Sequence, residues 1–402
     1  MHQISLQDIE KAREVLADVV KKTDIITSPI NDLCSSEVYL KLENLQRTGS
    51  FKVRGAYNKI NSLTPEQREK GVIASSAGNH AQGVALAAQE FGIKATIVMP
   101  ETAPLAKISA TRGYGAEVVL SGFVYDDAYA KAVEIQQKTG AVFIHPFNDP
   151  AVIAGQGTVA LEILEELPDA DAIMVPIGGG GLIAGVALAA KAINPQIKII
   201  GVEAANAPSM KESIKHHEPI TLKSAATIAD GIAVKTPGDL TYQIVQQYVD
   251  DYITVEEDEI AKAMLLLLER FKLVTEGSGA VPMAAMINGC LNMPGKKVVA
   301  VLSGGNIDVN VLSRIIDKGL AKAGRKTELT TILPDRPGSL QNMLKIISEL
   351  GANIVEIHHN RITSEAELNS SRVDFVLETH DNNHLEKLIG ELQRNDYKVR
   401  RA

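Results

Sequence analysis

Short apolar segments alternate with longer segments of helical periodicity over the first 320 residues. The apolar segments are rich in β-branched residues and hydrophobic throughout, as in 95–98, 173–175 and 298–302. Strands without a polar face are typical of parallel sheets covered by helices on both sides. The helical segments between them, such as 81–90 and 125–137, are long enough for right-handed crossover connections. The pattern predicts an α/β architecture, with further strands at 72–74, 117–120, 142–144 and 199–202 and a further helix at 260–271.

The pattern changes after residue 320. The polar segment 321–326 is typical of a linker, and residues 327–402 form a self-contained pattern. Its predicted order is strand, helix, strand, strand, helix, strand, at 327–333, 340–350, 353–361, 372–379, 384–393 and 397–400. Two helices on one face of a four-stranded antiparallel sheet make a βαββαβ ferredoxin-like domain.

Composition excludes several classes of function. The chain has 402 residues and a formal net charge of -8, and it lacks the basic, aromatic-rich face that binding of nucleic acid requires. Two cysteines, Cys34 and Cys290, allow at most one disulfide, and the N-terminal segment has no apolar secretion signal. We therefore expect a cytoplasmic protein that does not bind nucleic acid.

One uncharged segment, 172–190, has the length of a membrane span. It is interrupted by Pro176 and by four consecutive glycines, which would leave backbone groups without hydrogen bonds in lipid. We interpret it as a buried strand, a turn and a buried helix, and expect no membrane association.

The glycines of this turn, Gly178, Gly179, Gly180 and Gly181, precede Leu182 and a predicted helix. Converging backbone N–H groups and a helix N-terminus favour a bound phosphate. The spacing of Gly179, Gly181 and Ala184 also fits the dinucleotide fingerprint, with Glu203 about 20 residues further on. Both an NAD site and another phosphate site are therefore open at this point.

Two further segments carry candidate chemistry. Lys52 lies between apolar Phe51 and Val53, an environment that can lower the pKa of an amine for Schiff-base chemistry, although an ordinary surface lysine fits the same spacing. Hydroxyl and amide side chains of the segment 75–80 follow a predicted strand and begin a helix. Such a helix start can bind a small carboxylate, and the same side chains can cap the helix.

Five motifs together resemble the pyridoxal-phosphate enzymes of the tryptophan-synthase β-subunit fold type (fold type II), and within them the threonine dehydratase (threonine ammonia-lyase) family. The motifs are S-F-K-x-R-G-A at 50–56, S-A-G-N-H-A-Q-G-V-A at 76–85, G-G-G-G-L at 178–182, E-G-S-G-A at 276–280 and S-G-G-N at 303–306. The resemblance covers residues 1–320 and implies two three-layer αβα domains. A smaller domain, about 45–150, would be inserted into a larger one formed by 1–44 and 151–320.

The resemblance implies pyridoxal 5'-phosphate as the cofactor and a role for each motif. Lys52 would hold the cofactor covalently and act as the catalytic base, with Ser303 facing the pyridine nitrogen. Asn79 would bond to the ring hydroxyl, and the phosphate would lie on Gly178, Gly179, Gly180, Gly181 and Leu182. Ser76, Asn79 and His80 would bind the substrate carboxylate. The reaction would release ammonia from L-threonine to give 2-oxobutanoate, and from L-serine to give pyruvate.

Three positions depart from relatives. Ala77 stands where related serine racemases carry a serine that serves as the second acid/base, which favours dehydration without racemisation. Ser209 replaces an aspartate ligand of the cation that those racemases bind near the position of Glu203, which weakens a Mg²⁺ or Ca²⁺ site here, so a metal is not among the predictions. The segment 27–30 only approximates an expected T-P-L.

The segment Asp335-Arg-Pro-Gly-Ser-Leu340 resembles the first turn of an ACT domain, an amino-acid-sensing module. Asp335, Gly338, Ser339 and Leu340 would contact an amino-acid effector, and such modules pair across a homodimer or homotetramer. Because dehydrated threonine leads towards isoleucine, we expect regulation by a branched-chain amino acid. His358 and His359 are adjacent on a predicted strand, so they point to opposite faces and cannot share a metal.

Two other functions stay open on the sequence. The glycine fingerprint allows an NAD-dependent oxidoreductase, and the C-terminal module allows a non-catalytic amino-acid sensor.

Overall fold

The structure is a computed structural model that describes residues 4–27, 30, 33–289, 291–361 and 369–401. It divides into two compact units, residues 1–308 and 309–402. Cys290 and residues 28 and 29 of the approximate T-P-L segment lie outside the described residues.

The first unit contains a six-stranded sheet in the order β1-β2-β10-β7-β8-β9, which is parallel except for the β1–β2 pair. Its strands are β1 (Ile25–Thr27), β2 (Glu37–Lys41), β7 (Ala172–Pro176), β8 (Lys198–Ala204), β9 (Asp251–Val255) and β10 (Lys297–Val301). A second sheet of the same unit is wholly parallel, in the order β5-β4-β3-β6. Its strands are β3 (Val72–Ser75), β4 (Ala95–Met99), β5 (Glu117–Leu120) and β6 (Val142–Phe143).

Helices cover both sheets of the first unit. They are α1 (Leu6–Leu16), α2 (Lys52–Asn61), α3 (Pro65–Glu69), α4 (Asn79–Glu90), α5 (Leu105–Gly113), α6 (Tyr125–Thr139), α7 (Pro150–Glu166), α8 (Gly181–Ile193), α9 (Ser209–His216), α10 (Asp239–Tyr248), α11 (Glu257–Leu266) and α12 (Gly277–Ile287). Successive side chains of β3 point to opposite faces. Val72 and Ala74 pack with residues of α2 and α4, whereas Ile73 packs with α6. The predicted layering, with helices on both faces of a parallel sheet, is thereby confirmed.

Two loop-to-helix junctions matter for chemistry. Helix α4 begins shortly after the carboxyl end of β3, and α8 begins shortly after the carboxyl end of β7. Ligands of open parallel sheets bind at this edge, where helix N-termini point at them. The predicted helix 260–271 instead ends at Leu266 and continues as a π-helical turn, Leu267–Phe271.

In its described residues, the second unit consists of an antiparallel sheet in the order β12-β13-β11-β14 and three helices. Its elements are α13 (Val309–Lys322), β11 (Lys326–Pro334), α14 (Ser339–Glu349), β12 (Asn353–Asn360), β13 (Ser370–Glu378), α15 (Asn382–Arg394) and β14 (Val399–Arg401). From β11 to β14 the order is the predicted βαββαβ, and the core lies between α14, α15 and one face of the sheet.

Within the described ranges, no helix is long and apolar enough to cross a membrane. The uncharged segment 172–190 forms β7, the glycine turn and most of α8, as predicted.

Candidate active site

Backbone pairing brings the lysine motif and the S-G-G-N motif together. The Phe51 amide donates to the Ser303 carbonyl (3.1 Å), and the Gly305 amide donates to the Gly49 carbonyl (2.9 Å). Ser50 and Gly304 form an antiparallel bridge between these two bonds. Lys52, the first residue of α2, therefore lies beside Ser303, which follows β10 and is buried.

Lys52 has the environment of an activated amine. Its Nζ donates to the carbonyl of Pro146 (3.0 Å) and lies 5.1 Å from the centre of the Phe51 ring. Desolvation by the surrounding protein lowers the pKa of Lys52 to about 8, against the opposing effect of the Glu276 carboxylate. At neutral pH a much larger fraction of this amine is uncharged than of an ordinary lysine.

Asn79 connects three motifs through its side-chain amide. Its Oδ1 accepts from Asn306 Nδ2 (2.8 Å), and its Nδ2 donates to Glu276 Oε1 (2.7 Å). Asn79 is the first residue of α4 and is buried. One N–H of this amide remains for a ligand, because each primary amide carries two.

Glu276 is a site residue that the sequence reasoning missed. It precedes α12 and is buried, and its backbone amide donates to the Gly304 carbonyl (3.1 Å). Burial, and next the charge of Asp230, raise the pKa of Glu276 to about 7. The available signal was a single carboxylate directly before the uncharged and mostly apolar helix 277–287, a position where a charge needs a specific partner.

The glycine turn begins α8 in a shape that only glycine permits. Gly180 has a φ of +93°, and a Cβ on Gly179 would lie 2.3 Å from the Phe147 ring. Thr241 Oγ1 donates to the Gly179 carbonyl (2.6 Å), which fixes the orientation of the turn. The first amides of α8 have no acceptor within the helix and are available to an anion.

Two predicted substrate-binding residues lie at the start of α4. Ser76 Oγ accepts from the Gly78 amide (3.2 Å). The His80 ring bonds through Nε2 to the Ile144 carbonyl (2.8 Å), and burial, followed by the nearby charge of Lys52, lowers the pKa of His80 to about 3. The neutral His80 ring is thus engaged in the fold, and its backbone N–H is the group left at the helix start.

Buried hydroxyls without a partner surround the same region. Among the described residues, the side chains of Ser50, Ser75, Thr275 and Ser278 are buried and have no hydrogen-bond partner. Ser50 and Ser278 belong to motifs, Ser75 and Thr275 each directly precede one, and unsatisfied buried polar groups require an explanation. Together with an activated amine, an anion-binding turn and the Asn79 amide, they fit a polar, phosphorylated aldehyde such as pyridoxal phosphate.

A buried ionic network holds α2 in place, and sequence reasoning missed it as well. Arg54 donates to both oxygens of Glu43 (2.8 Å each) and to both oxygens of Glu162 (2.6 and 3.0 Å). Lys41 donates to Glu162 Oε2 (2.6 Å). The positive charges of Arg54 and Lys41 therefore balance the negative charges of Glu43 and Glu162 in the interior. Arg54 follows Lys52 by two residues in the chain.

The carboxylate of Glu203 has a structural role, because it binds the N-terminal end of a helix. Both oxygens of Glu203 accept backbone amides at the start of α9, from Met210 (2.9 Å) and Lys211 (2.8 Å). Burial raises the pKa of Glu203 to about 8. Across the described chain, no group of three or more His, Cys, Asp or Glu side chains is arranged to hold a metal ion.

The second unit has a cavity of about 500 Å³ at its first turn, lined by residues 333–341, His359, Arg361 and Ser371. The four residues predicted to contact an effector, Asp335, Gly338, Ser339 and Leu340, all line it. Asp335 pairs with Arg361 Nε (3.0 Å), and Gly338, with a φ of +91°, directly precedes α14 as its N-cap. His358 pairs with Glu356, whereas His359 bonds to Ser371, so the two rings have separate partners.

Comparison with known proteins identifies the family. Residues 16–304 match the model of the pyridoxal-phosphate dependent enzymes, and residues 323–401 match an ACT domain. The chain is 54% identical to an L-threonine ammonia-lyase of Thermotoga maritima over 99% of both chains.

Solved structures agree with this match. Threonine deaminase isoform 2 of Solanum lycopersicum, in its processed form, has a TM-score of 0.74 and 41% identity, over 77% of this chain and 91% of its own. Maize serine racemase has a TM-score of 0.74 and 40% identity, over 79% and 98%. The family match spans residues 16–304 and therefore includes the glycine turn. The chain therefore belongs to the pyridoxal-phosphate dependent enzymes of fold type II, with pyridoxal phosphate as its cofactor and an ACT domain at its C-terminal end.

Proposed function

We propose that the protein is a threonine ammonia-lyase that converts L-threonine to 2-oxobutanoate and ammonia, and L-serine to pyruvate and ammonia. The observation that carries this proposal is the position of the Lys52 amine, which lies with its lowered pKa where four of the five motifs meet. The full-length similarity to an L-threonine ammonia-lyase supports the substrate.

Each site residue has a distinct task in this proposal. Pyridoxal phosphate, when bound, withdraws electrons from the substrate α-carbon and makes its proton acidic. Lys52 would hold the cofactor before substrate binds, and its amine, once displaced by the substrate amine, would accept that proton at Nζ. The remaining N–H of Asn79 would bind the ring oxygen, the amides from Gly178 to Leu182 would bind the phosphate, and the Ser303 hydroxyl would face the ring nitrogen. A hydroxyl does not keep that nitrogen protonated as a carboxylate would, which favours elimination over transamination.

The start of α4 binds the substrate carboxylate. Ser76 supplies a hydroxyl, and the N–H groups of Asn79 and His80 point along the helix axis, where the helix dipole favours an anion. Ala77, next to this group, has only a methyl group and cannot return a proton to the opposite face of the α-carbon. We therefore propose elimination without racemisation.

The activity is tested by ammonia release from a panel of amino acids, with the 2-oxoacid identified in each case. We expect release from L-threonine and L-serine and none from their D-enantiomers. A colourless protein that binds a nicotinamide nucleotide and releases no ammonia would overturn the proposal in favour of an oxidoreductase.

Substitution of Gly179 by alanine is expected to weaken cofactor binding by about tenfold or more. The added Cβ would meet the Phe147 ring at 2.3 Å, so the turn must move and its amides lose their alignment. Titration of the apoenzyme with pyridoxal phosphate, followed by absorbance, measures the change. Gly113→Ala is the matched control, because a Cβ at Gly113 meets nothing within 4 Å. Equal affinities of the two variants would contradict a phosphate site at this turn.

We propose that the ACT domain binds an amino-acid effector and regulates the lyase. The proposed catalytic region is 1–320, joined through the linker 321–326 to a regulatory domain at 327–402. In the cavity, the Asp335 carboxylate suits the effector's ammonium group, and the amides at the start of α14 suit its carboxylate. A branched-chain amino acid fits the link between dehydrated threonine and isoleucine biosynthesis.

Substitution of Asp335 by asparagine is expected to raise the isoleucine or valine concentration needed for half-maximal response by about 10- to 100-fold, the cost of one charge-assisted hydrogen bond. The measurement is activity against substrate concentration with and without each amino acid. Glu349→Gln, at the last residue of α14 and outside the cavity lining, is the control. No response of the unaltered protein to either amino acid would refute the proposed effector.

We also propose a cytoplasmic homodimer or homotetramer. Strand β12 lies at the edge of its sheet, and Val355 and Ile357 on it are exposed, which suits pairing with a second copy. Light scattering of the purified protein would contradict this proposal if it gave the mass of a single chain.

A further inference from the structure

We propose that Glu276 is a positioning residue with two effects. It holds Asn79 in the orientation that presents an N–H to the cofactor's ring oxygen, and its negative charge favours the protonated form of the nitrogen that Lys52 contributes to the bound cofactor. The inference rests on the proposed function, in that it takes Lys52 as the attachment point and Asn79 as the partner of the ring oxygen.

The orientation of Asn79 follows from a chain of hydrogen bonds with one fixed end. Asn306 Nδ2 donates to the Thr48 carbonyl (2.6 Å), which can only accept, and also to Asn79 Oδ1 (2.8 Å). The Nδ2 of Asn79 must then face Glu276, at 2.7 Å. Glu276 accepts this hydrogen bond, so the direction of the Asn79 amide is set from both ends.

Glu276 itself has little freedom to move. Its backbone amide is bonded to the Gly304 carbonyl, and a Cβ on Gly304 would lie 2.5 Å from Glu276 Oε1 and 3.2 Å from Asn79 Nδ2. The Glu276 carboxylate and the Asn79 amide therefore lie close to the backbone of Gly304, the residue after Ser303. A glycine at 304 is required for this close approach.

The charged groups that act on Glu276 come from three elements: Lys52 on α2, Lys107 on α5, and Asp230 on a short 3-10 turn, Asp230–Ile232. Lys107 and Asp230 pair with each other at 2.7 Å, so their opposite charges largely offset each other at Glu276. The remaining cation that acts on Glu276 is Lys52, which lies in the same site. Burial raises the pKa of Glu276 to about 7, so the carboxylate gains its charge near neutral pH and then acts on the Lys52 nitrogen.

The test uses Glu276→Gln in the holoenzyme, because glutamine keeps an acceptor for Asn79 and removes the charge. The readout is the visible absorption of the bound cofactor as a function of pH. Loss of a nearby anion disfavours the protonated nitrogen, so we expect the pH midpoint of the spectral change to fall by about one unit or more. Glu257→Gln is the matched control, because the Glu257 carboxylate on α11 also accepts the side-chain amide of an asparagine, Asn206 (3.4 Å). We expect no shift for it.

Two further variants separate charge from position. Glu276→Asp retains the charge and is expected to restore the midpoint to within a few tenths of a unit of the unaltered protein. Glu276→Ala removes both features, and we expect it to weaken cofactor binding by about tenfold in addition to lowering the midpoint. A midpoint in Glu276→Gln equal to that of the unaltered protein would overturn the inference. If Glu276→Gln does not fold, a spectral midpoint in Glu276→Asp that lies clearly below that of the unaltered protein would overturn the inference instead.

Borohydride reduction followed by peptide mass spectrometry distinguishes this failure from failure of the proposed function. An adduct on Lys52 in the unaltered protein together with an unshifted midpoint in Glu276→Gln refutes the role of Glu276 alone. Absence of an adduct on Lys52 refutes the proposed function and with it this inference.

Discussion

Substitution of Lys52 by alanine is expected to reduce ammonia release from L-threonine by about 10³-fold or more. The variant loses the covalent attachment of the cofactor and the base at the α-carbon in one step, and removal of a base alone costs about 10²- to 10⁴-fold. The fold is expected to persist, because the Lys52 amine bonds to a single backbone carbonyl, that of Pro146, and alanine is compatible with the start of α2. Ammonia release and borohydride trapping measure the effect.

The control for this substitution is Lys94→Ala. Lys94 forms an exposed ion pair with Glu117 (3.0 Å), which contributes little to stability. Full activity and an adduct at Lys52 are expected in that variant. Turnover by Lys52→Ala at the rate of the control would exclude the lyase mechanism. Intact biological function of Lys52→Ala without turnover would instead support the non-catalytic sensor.

Substitution of Arg54 by methionine is expected to lower the free energy of unfolding by about 3–5 kcal/mol. Arg54 is fully buried, and its loss leaves Glu43 and Glu162 with only Lys41 to balance them. Breaking a buried pair on one side costs this much because an uncompensated charge remains inside. Denaturant unfolding, with the slope checked for constancy, measures the change.

The control is Arg13→Met, which removes an exposed ion pair with Glu165, and we expect it to cost about 1 kcal/mol or less. The pH dependence gives a second check. Burial alone would raise the pKa of Glu43, but the guanidinium of Arg54 holds that pKa below its usual range. Glu43 therefore stabilises the fold above its unfolded-state pKa, and this contribution is lost as the pH falls. The difference in the free energy of unfolding between Arg54→Met and the unaltered protein should accordingly be larger at pH 8 than at pH 4. An equal difference at the two pH values would contradict the stabilising role of the ionic network.

Buried parallel strands were the most predictable part of this fold. The segments around 95–98 and 298–302 are apolar on both faces, and a strand of this kind is stable only between two layers of helices. Element ends were less predictable. The helix predicted to run to Phe271 ends in a π-helical turn from Leu267, since local periodicity continues through a change of hydrogen-bond pattern.

The candidate site was predictable where the chemistry lies in one contiguous motif. Lys52, the glycine turn and Asn79 each lie in a motif that the sequence displays whole, and they stay predictions whose roles the substitutions above test. Glu276 lies in the E-G-S-G-A motif and Arg54 in the lysine motif, but neither motif by itself indicates a role for them. Their importance depends on partners far away in the chain, which no local pattern reveals: Asn79 is 197 residues from Glu276, and Glu162 is 108 residues from Arg54.

By itself, the sequence determined the two kinds of sheet, because hydrophobic periodicity is a local property of the chain, and its five motifs carried the resemblance that implied the family and the cofactor. Tertiary structure alone decided which carboxylate accepts a hydrogen bond from the Asn79 amide and which backbone carbonyl bonds to the His80 ring. It also decided which two carboxylates neutralise the buried charges of Arg54 and Lys41. Hydrogen bonds and charge pairs act over a few ångströms in space, whatever the separation in sequence, so only the folded chain specifies them.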